Sequence, residues 1–191
     1  MTGLIVDIAI ALIVLALLMA YFIFATFAFG AGYQPTPRRS VETMLRYAEV
    51  GPQDTVFDLG AGTGAIVFAA ARTYRARVVG TEVEPIRVLV LRLRRRFGPG
   101  KDRITIRWGN LFGIDFRPAT VVTAFLWPGA MERLRPKFES ELAPGTRVVS
   151  YYHQVPGWTP EKYDPETQVY LYRWPTARRP PEGAPRPTDG R

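Results

Sequence analysis

Hydrophobic positions are spread unevenly along the 191 residues, and the first long block of them has no polar face. From Ile8 to Ala25 the chain reads IAIALIVLALLMAYFIFA, without a charge or a side-chain amide, and the uncharged run continues to Gly32. A helix over that run reaches about 37 Å, enough for a hydrocarbon core of about 30 Å. A core helix of a soluble domain would be amphipathic. A cleaved signal peptide would have a basic start and a shorter apolar stretch, whereas this start carries Asp7. The pattern predicts one transmembrane helix, with residues 1–32 as an anchor. Arg38, Arg39 and Arg46 follow it and no Lys or Arg precedes it, so the positive-inside rule leaves the rest in the cytoplasm. Tyr21, Phe22, Phe24, Phe27, Phe29 and Tyr33 crowd that end, as an interfacial aromatic belt would.

Beyond Gln34 the pattern becomes that of a globular domain, residues 33–174. Val41, Met44, Leu45 and Ala48 recur at helical spacing over residues 38–50, with Ser40 as a candidate cap and Gly51-Pro52 as the stop. Strands are expected at 55–58, 77–82, 103–108, 119–126, 146–152 and 168–173, and helices at 65–75, 85–97 and 129–142. Alternating strands and helices predict an α/β, Rossmann-like fold: a mostly parallel sheet with helices on both faces. The last strand follows only the Pro-rich VPGWTPEKYDP, so it should pair antiparallel, at an edge. Residues 175–191 are rich in proline and have little to bury, which predicts a disordered tail.

Composition narrows the chemistry. The net charge is +8, and the absence of cysteine excludes disulfides, thiolate zinc sites and thiol nucleophiles. His153 is the single histidine, so a multi-histidine metal site is excluded and no metal is expected. Much of the positive charge lies in residues 85–97, where Ile86, Leu89, Val90, Leu93 and Phe97 form one stripe and Arg87, Arg92, Arg94, Arg95 and Arg96 lie mostly elsewhere. These arginines read as a solvated face, with anionic lipid headgroups as the rival partner. Nucleic acid is disfavoured, because no recognised binding motif accompanies the charge.

The candidate chemistry sits in TVFDLGAGTGAIV, residues 55–67. A strand ends on Asp58, and Gly60, Gly62 and Gly64 follow. GAGTGA formally satisfies the dinucleotide fingerprint, but a carboxylate beside the turn is unwelcome near a pyrophosphate. A ligand with a cationic end would tolerate or use it. Glu82 closes the next strand, where a carboxylate can accept ribose hydroxyls.

DLGAGTG and GTE resemble the first two cofactor motifs of class I S-adenosylmethionine methyltransferases, and GNLF at 109–112 resembles the adenine-side motif. YQPTP, GTEVEP, ELAPGTRVVS and VPGW narrow the resemblance to a small family of protein lysine methyltransferases. That family includes archaeal enzymes and the mitochondrial enzymes for the ATP synthase c-subunit and the adenine nucleotide translocase. The match spans about Tyr33 to Pro160. The chain departs from the family where an acid and an arginine often flank a glycine in the loop, here Thr63 and Ala65 around Gly64, and where an Asn often stands two residues after the second acid, here Glu84. The resemblance implies that S-adenosyl-L-methionine is held by Asp58, Leu59 and the backbone of Gly60, Ala61, Gly62 and Gly64 at its methionine end. It gives Glu82 the ribose and Asn110 with Leu111 the adenine. Thr36 would lie in a segment that closes over the cofactor.

The acceptor side should follow the fourth strand. Enzymes that methylate a planar amide-like nitrogen usually carry N/D-P-P-Y/F there, and this chain has Leu126-Trp127-Pro128-Gly129. An aliphatic amine needs instead an apolar, aromatic pocket that lowers its pKa. Trp127, Tyr151 and His153 are the candidate substrate-side residues, with core packing as the alternative for Trp127. No catalytic base is assigned. The expected function is N-methylation of lysine in membrane-associated proteins by a membrane-anchored enzyme. The alternatives are methylation of a lipid amine or isoprenoid-like molecule, and a non-catalytic cofactor-binding module.

Overall fold

The computed structural model describes residues 2–28 and 34–176 and divides into two compact units between Gln34 and Pro35. The first unit is the helix α1, Thr2–Ala28. Its 27 residues correspond to about 40 Å. None of the stretch Gly3–Tyr21 is buried, so α1 is long and apolar enough to cross a membrane. The helix starts before the predicted Ile8 and carries Asp7 within it. The predicted aromatic belt lies largely outside the described side chains, and residues 177–191 of the predicted tail lie outside the described residues.

The second unit is a seven-stranded sheet in the order β3-β2-β1-β4-β5-β7-β6. The strands are β1 (Thr55–Leu59), β2 (Arg77–Glu82), β3 (Ile104–Trp108), β4 (Val121–Ala124), β5 (Arg147–Tyr151), β6 (Lys162–Asp164) and β7 (Val169–Arg173). The helices are α2 (Arg38–Tyr47), α3 (Ala65–Thr73), α4 (Pro85–Phe97) and α5 (Pro128–Glu141). Strands β1 to β5 pair in parallel, and β7 runs antiparallel to β5. Side chains alternate between two cores, as a sheet covered on both faces requires. Val56, Val121 and Val149 face the core shared with α2, α3 and Leu91 of α4. Phe57, Val122 and Val148 face the core shared with Met131, Leu134 and Phe138 of α5.

Three expectations need correction. Strand β7 is not the edge, because β6 pairs antiparallel with it on its outer side. Lys-Tyr-Asp between Pro160 and Pro165 is too short and too polar to announce itself as a strand. Ser40 does not cap α2: Pro37 holds the N-cap position, and Ser40 Oγ, inside the first turn, donates to the Thr167 carbonyl at 3.2 Å. The apolar stripe of α4 is not its packed face. Val88 and Leu91 are buried, whereas Ile86, Leu89, Leu93 and Phe97 are exposed.

The VPGW segment has a structural role. Trp158 is fully buried, donates from Nε1 to Glu139 at 3.2 Å and stacks on Trp174 with ring centroids 5.1 Å apart. Thr176 then donates its hydroxyl to the Thr159 carbonyl at 2.8 Å.

Candidate active site

The C-terminal ends of β1, β2, β4 and β5 converge on one rim of the sheet, where open α/β folds bind ligands. Asp58 and Thr123 are opposite each other in the β1–β4 register, and Thr123 Oγ1 donates to Asp58 Oδ1 at 2.9 Å. Asp58 is only 3 % exposed. Burial pushes its carboxyl up to about 7; the Thr123 hydrogen bond works against that rise, and the nearby Glu82 adds to it. Thr123 was not legible as a site residue, since a threonine inside an apolar strand carries no local signal.

The glycine loop leaves β1 with Gly60, Gly62 and Gly64 all at positive φ. Gly64 stands at the N-cap of α3, and a Cβ there would lie 2.6–2.7 Å from Phe68 and Leu91. It therefore serves helix packing as well as the turn. Leu59 is buried in the α5-side core, and the Ala61 amide donates to the Thr81 carbonyl at 2.8 Å.

Glu82 ties this loop to the next one. Its Oε2 accepts from the Gly62 amide at 2.8 Å, and its Oε1 accepts from the Val83 and Glu84 amides, each at 3.0 Å. The Arg87 guanidinium approaches Oε1 at 3.5 Å, and a carboxylate oxygen such as Oε2 has the lone pairs to accept from a second donor. Glu84 caps α4 by accepting from the Ile86 and Arg87 amides at 2.9 and 2.8 Å. The Gly109 amide donates to the Glu82 carbonyl at 3.0 Å, which brings Asn110 and Leu111 beside this corner. Asn110 Oδ1 accepts from the Phe112 amide at 3.0 Å and so shapes the turn at Leu111–Gly113. Thr36 lies elsewhere on the surface, in a cleft it shares with Glu42, Ala65 and Tyr74, whose lining does not include Asp58 or Glu82.

An aromatic patch occupies the ends of β4 and β5. The rings of Phe125 and Tyr151 meet edge to face at 4.6 Å, Trp127 lies 5.6 Å from His153, and Tyr152 lies 4.9 Å from His153. Trp127 is 53 % exposed, so the core-packing alternative for it is wrong. Burial holds the His153 imidazole below its ordinary pKa. Tyr152 adopts φ +67, and the His153 amide donates back to the Tyr151 carbonyl at 2.8 Å, a strained three-residue turn that aims the patch. Phe125 and Tyr152 complete a patch of which the sequence indicated Trp127, Tyr151 and His153.

The donor set suits a ligand with a cationic amino-acid end and a ribose. Asp58 offers a buried carboxylate poorly compensated for its charge, and Glu82 offers a second acid one strand away. A pyrophosphate would meet two negative groups.

Comparison with known proteins agrees. Residues 58–162, more than half of the chain, match the family model described as the ANTKMT methyltransferase domain. A protein-lysine N-methyltransferase of Saccharolobus islandicus is 42 % identical over 149 residues, 73 % of this chain and 91 % of that protein. The chain belongs to the ANTKMT methyltransferase family. This methyltransferase is also 31 % identical to the adenine nucleotide translocase lysine N-methyltransferase of Mus musculus, over 67 % of the chain and 56 % of that protein. The ATP synthase c-subunit lysine N-methyltransferase of Rattus norvegicus is 32 % identical, over 68 % of the chain and 59 % of that protein. The chain thus spans little more than half the length of the two mammalian relatives. Among solved structures, a Salinibacter ruber RNA methyltransferase in complex with S-adenosyl-L-homocysteine superposes with a TM-score of 0.71 at 40 % identity, over 73 % of this chain and 93 % of that one. The chain is an S-adenosylmethionine-dependent methyltransferase of class I fold, as its motifs lead one to expect.

Proposed function

We propose that this methyltransferase is anchored in a membrane by α1 and N-methylates lysine side chains of membrane-associated proteins. The observation that carries the lysine reading is the aromatic patch at the rim that holds Asp58 and Glu82, with Trp127 and Tyr152 exposed and Tyr151 and His153 half-buried behind them. S-adenosylmethionine, when bound, supplies a methyl group on a sulfonium, so the protein's task is to position the acceptor and exclude water. Asp58 takes the ammonium of the methionine end. The loop from Leu59 through Gly60, Ala61, Gly62 and Gly64 lies against that end. Glu82 accepts a ribose hydroxyl on Oε2, and Asn110 with Leu111 borders the adenine.

On the acceptor side, the π face of Trp127 attracts the incoming ammonium. The apolar surroundings lower the lysine pKa, so the amine loses its proton before attack. His153, neutral at physiological pH, offers a nitrogen to that proton. The acceptor segment Leu126-Trp127-Pro128-Gly129 lacks the polar residues that hold a planar nitrogen. This counts against RNA, the second reading raised by the name of the Salinibacter protein.

Membrane association rests on the length and apolar surface of α1, and Arg38, Arg39 and Arg46 favour a cytoplasmic catalytic unit. The mouse and rat relatives are named for a translocase and for a component of ATP synthase, which makes a membrane-associated protein the fitting acceptor class. An anchor raises the effective concentration of such acceptors.

Purified enzyme with methyl-labelled cofactor, offered membrane and soluble fractions in parallel, tests the reading. Label should enter membrane protein and fall sharply with Trp127→Ala. Label confined to the soluble fraction, or undiminished by Trp127→Ala, would count against it.

A further inference from the structure

The exposed side of α4 combines two features that rarely share a solvated helix. Ile86, Leu89, Leu93 and Phe97 repeat at helical spacing and are 46 %, 57 %, 48 % and 80 % exposed. Such a stripe would ordinarily be the core face, but here Val88 and Leu91 fill that role. Trp108, at the end of the neighbouring strand β3, is also exposed. Cations flank the stripe on one side. Arg92 and Arg96 lie beside it on the helix, and together with Arg95 and Lys101 they line a shallow pocket of about 380 Å³ in which four cations outnumber one acid, Asp102. Arg94 is turned the other way: its guanidinium stacks on Phe68, 4.4 Å from the ring, and donates to the Thr63 carbonyl.

We propose that this face of α4 is an interfacial docking surface for an anionic phospholipid bilayer. Leu89, Leu93 and Phe97 enter the headgroup–acyl boundary, and Arg92, Arg96 and Lys101 engage the phosphates, while Arg95, further round the helix, donates from Nε to the Lys101 carbonyl at 3.2 Å. An apolar stripe bordered by arginine is the pattern of helices that lie in a membrane interface. The charge complements an anionic leaflet. A solvated helix would not expose four large apolar residues in register, and a nucleic-acid surface would not place them beside the arginines. The same chain carries α1, so a bilayer is already the surface this catalytic unit works against if the proposed anchoring holds. The inference shares that premise but concerns a different part of the chain, and its test reads α4 rather than α1.

The chain contains no cysteine, so Leu93→Cys gives a unique labelling site, and Ala143→Cys, exposed in the loop before β5, gives a reference site. Each full-length variant would carry an environment-sensitive fluorophore and be reconstituted into phosphatidylcholine vesicles with about one third phosphatidylglycerol, a composition that presents an anionic surface. The Leu93 label should shift to the blue and be quenched by spin labels on the acyl chains, while the Ala143 label stays aqueous. Arg92→Gln with Arg96→Gln, or vesicles of phosphatidylcholine alone, should weaken both signals without releasing the protein from the vesicles. A Leu93 label as aqueous as the Ala143 label would overturn the inference. So would a blue shift untouched by lipid-borne quencher, which would mean that α1 or a second copy of the chain covers the stripe. Loss of the protein from the vesicles altogether would refute the anchor; the Leu93 and Ala143 labels would then be compared on vesicles added to the protein, and failure of the Leu93 label to respond there would overturn the α4 surface as well.

Discussion

Asp58 gives the most quantitative handle on the cofactor site. In the ligand-free protein burial holds its carboxyl at about 7, against an ordinary 3.8. Because the folded value is raised, the contribution to stability is fully present below pH 3.8 and is lost as pH rises through about 7. Above pH 7 the ionised, buried group costs the ligand-free fold about 4 kcal/mol, at 1.36 kcal/mol for each tenfold change. An ammonium placed beside Asp58 removes that cost, so cofactor binding requires the ionised form and releases a proton wherever Asp58 starts protonated. Asp58 ionisation alone would make affinity fall about tenfold between pH 8 and pH 6; the cofactor's own amino titration reduces the net fall, from the maximum to pH 6, to about fivefold. Near pH 8 the cofactor's own α-amino group begins to lose its charge, so affinity should peak at about pH 7 to 8. Titration calorimetry at pH 7, in two buffers of different ionisation enthalpy, should count about a third of a proton released per cofactor, Asp58 giving up about half and the cofactor's amine taking part of it back. Asp58→Asn should flatten the pH profile, bind weakly throughout, and melt higher than the parent protein at pH 8 without ligand. Flat affinity from pH 5.5 to 8 in the parent, with no proton release and no loss in Asp58→Asn, would refute the placement of the ammonium.

Other sites separate binding from folding. Glu82→Ala should lower stability by about 3 kcal/mol, because the Gly62, Val83 and Glu84 amides lose a charged acceptor; an unchanged urea midpoint would contradict this. Gly64→Ala should destabilise by about 2 kcal/mol, since a Cβ at φ +92 meets Phe68 and Leu91, while Gly129→Ala, with open space around it, should be close to neutral in the same denaturation assay. Trp127→Ala should leave the melting temperature near that of the parent and lower kcat/KM for a protein acceptor about tenfold, so a melting temperature that falls with activity would assign the ring to structure instead.

The legible part of this protein was whatever local pattern determines. Asp58, the glycine loop, Glu82 and the Asn110 turn fall at strand ends that the apolar runs already marked. The parallel pairing of β1 to β5 followed from the alternation of strand and helix. What escaped depends on partners distant in sequence. Strand β6 exists only because β7 offers a free edge to three residues of polar sequence. Thr123 matters because the β1–β4 register sets it against Asp58, 65 residues away. The stripe of α4 misled for the opposite reason: periodicity identified an apolar face correctly, but the sheet packs on Val88 and Leu91, about half a turn round the helix. Tyr152 could not be anticipated at φ +67, since nothing local favours that conformation in tyrosine.

The central claim is that the acceptor atom is a lysine amine of a membrane-associated protein, and identifying the labelled product tests it most directly. Membranes labelled by the enzyme with methyl-labelled S-adenosylmethionine would be hydrolysed in acid and the labelled compound resolved against standards, with Asp58→Asn as the inactive control. The account predicts label in N-methylated lysine and almost none in the control. Label in a methylated nucleoside, or in a lipid amine or isoprenoid product, would contradict it.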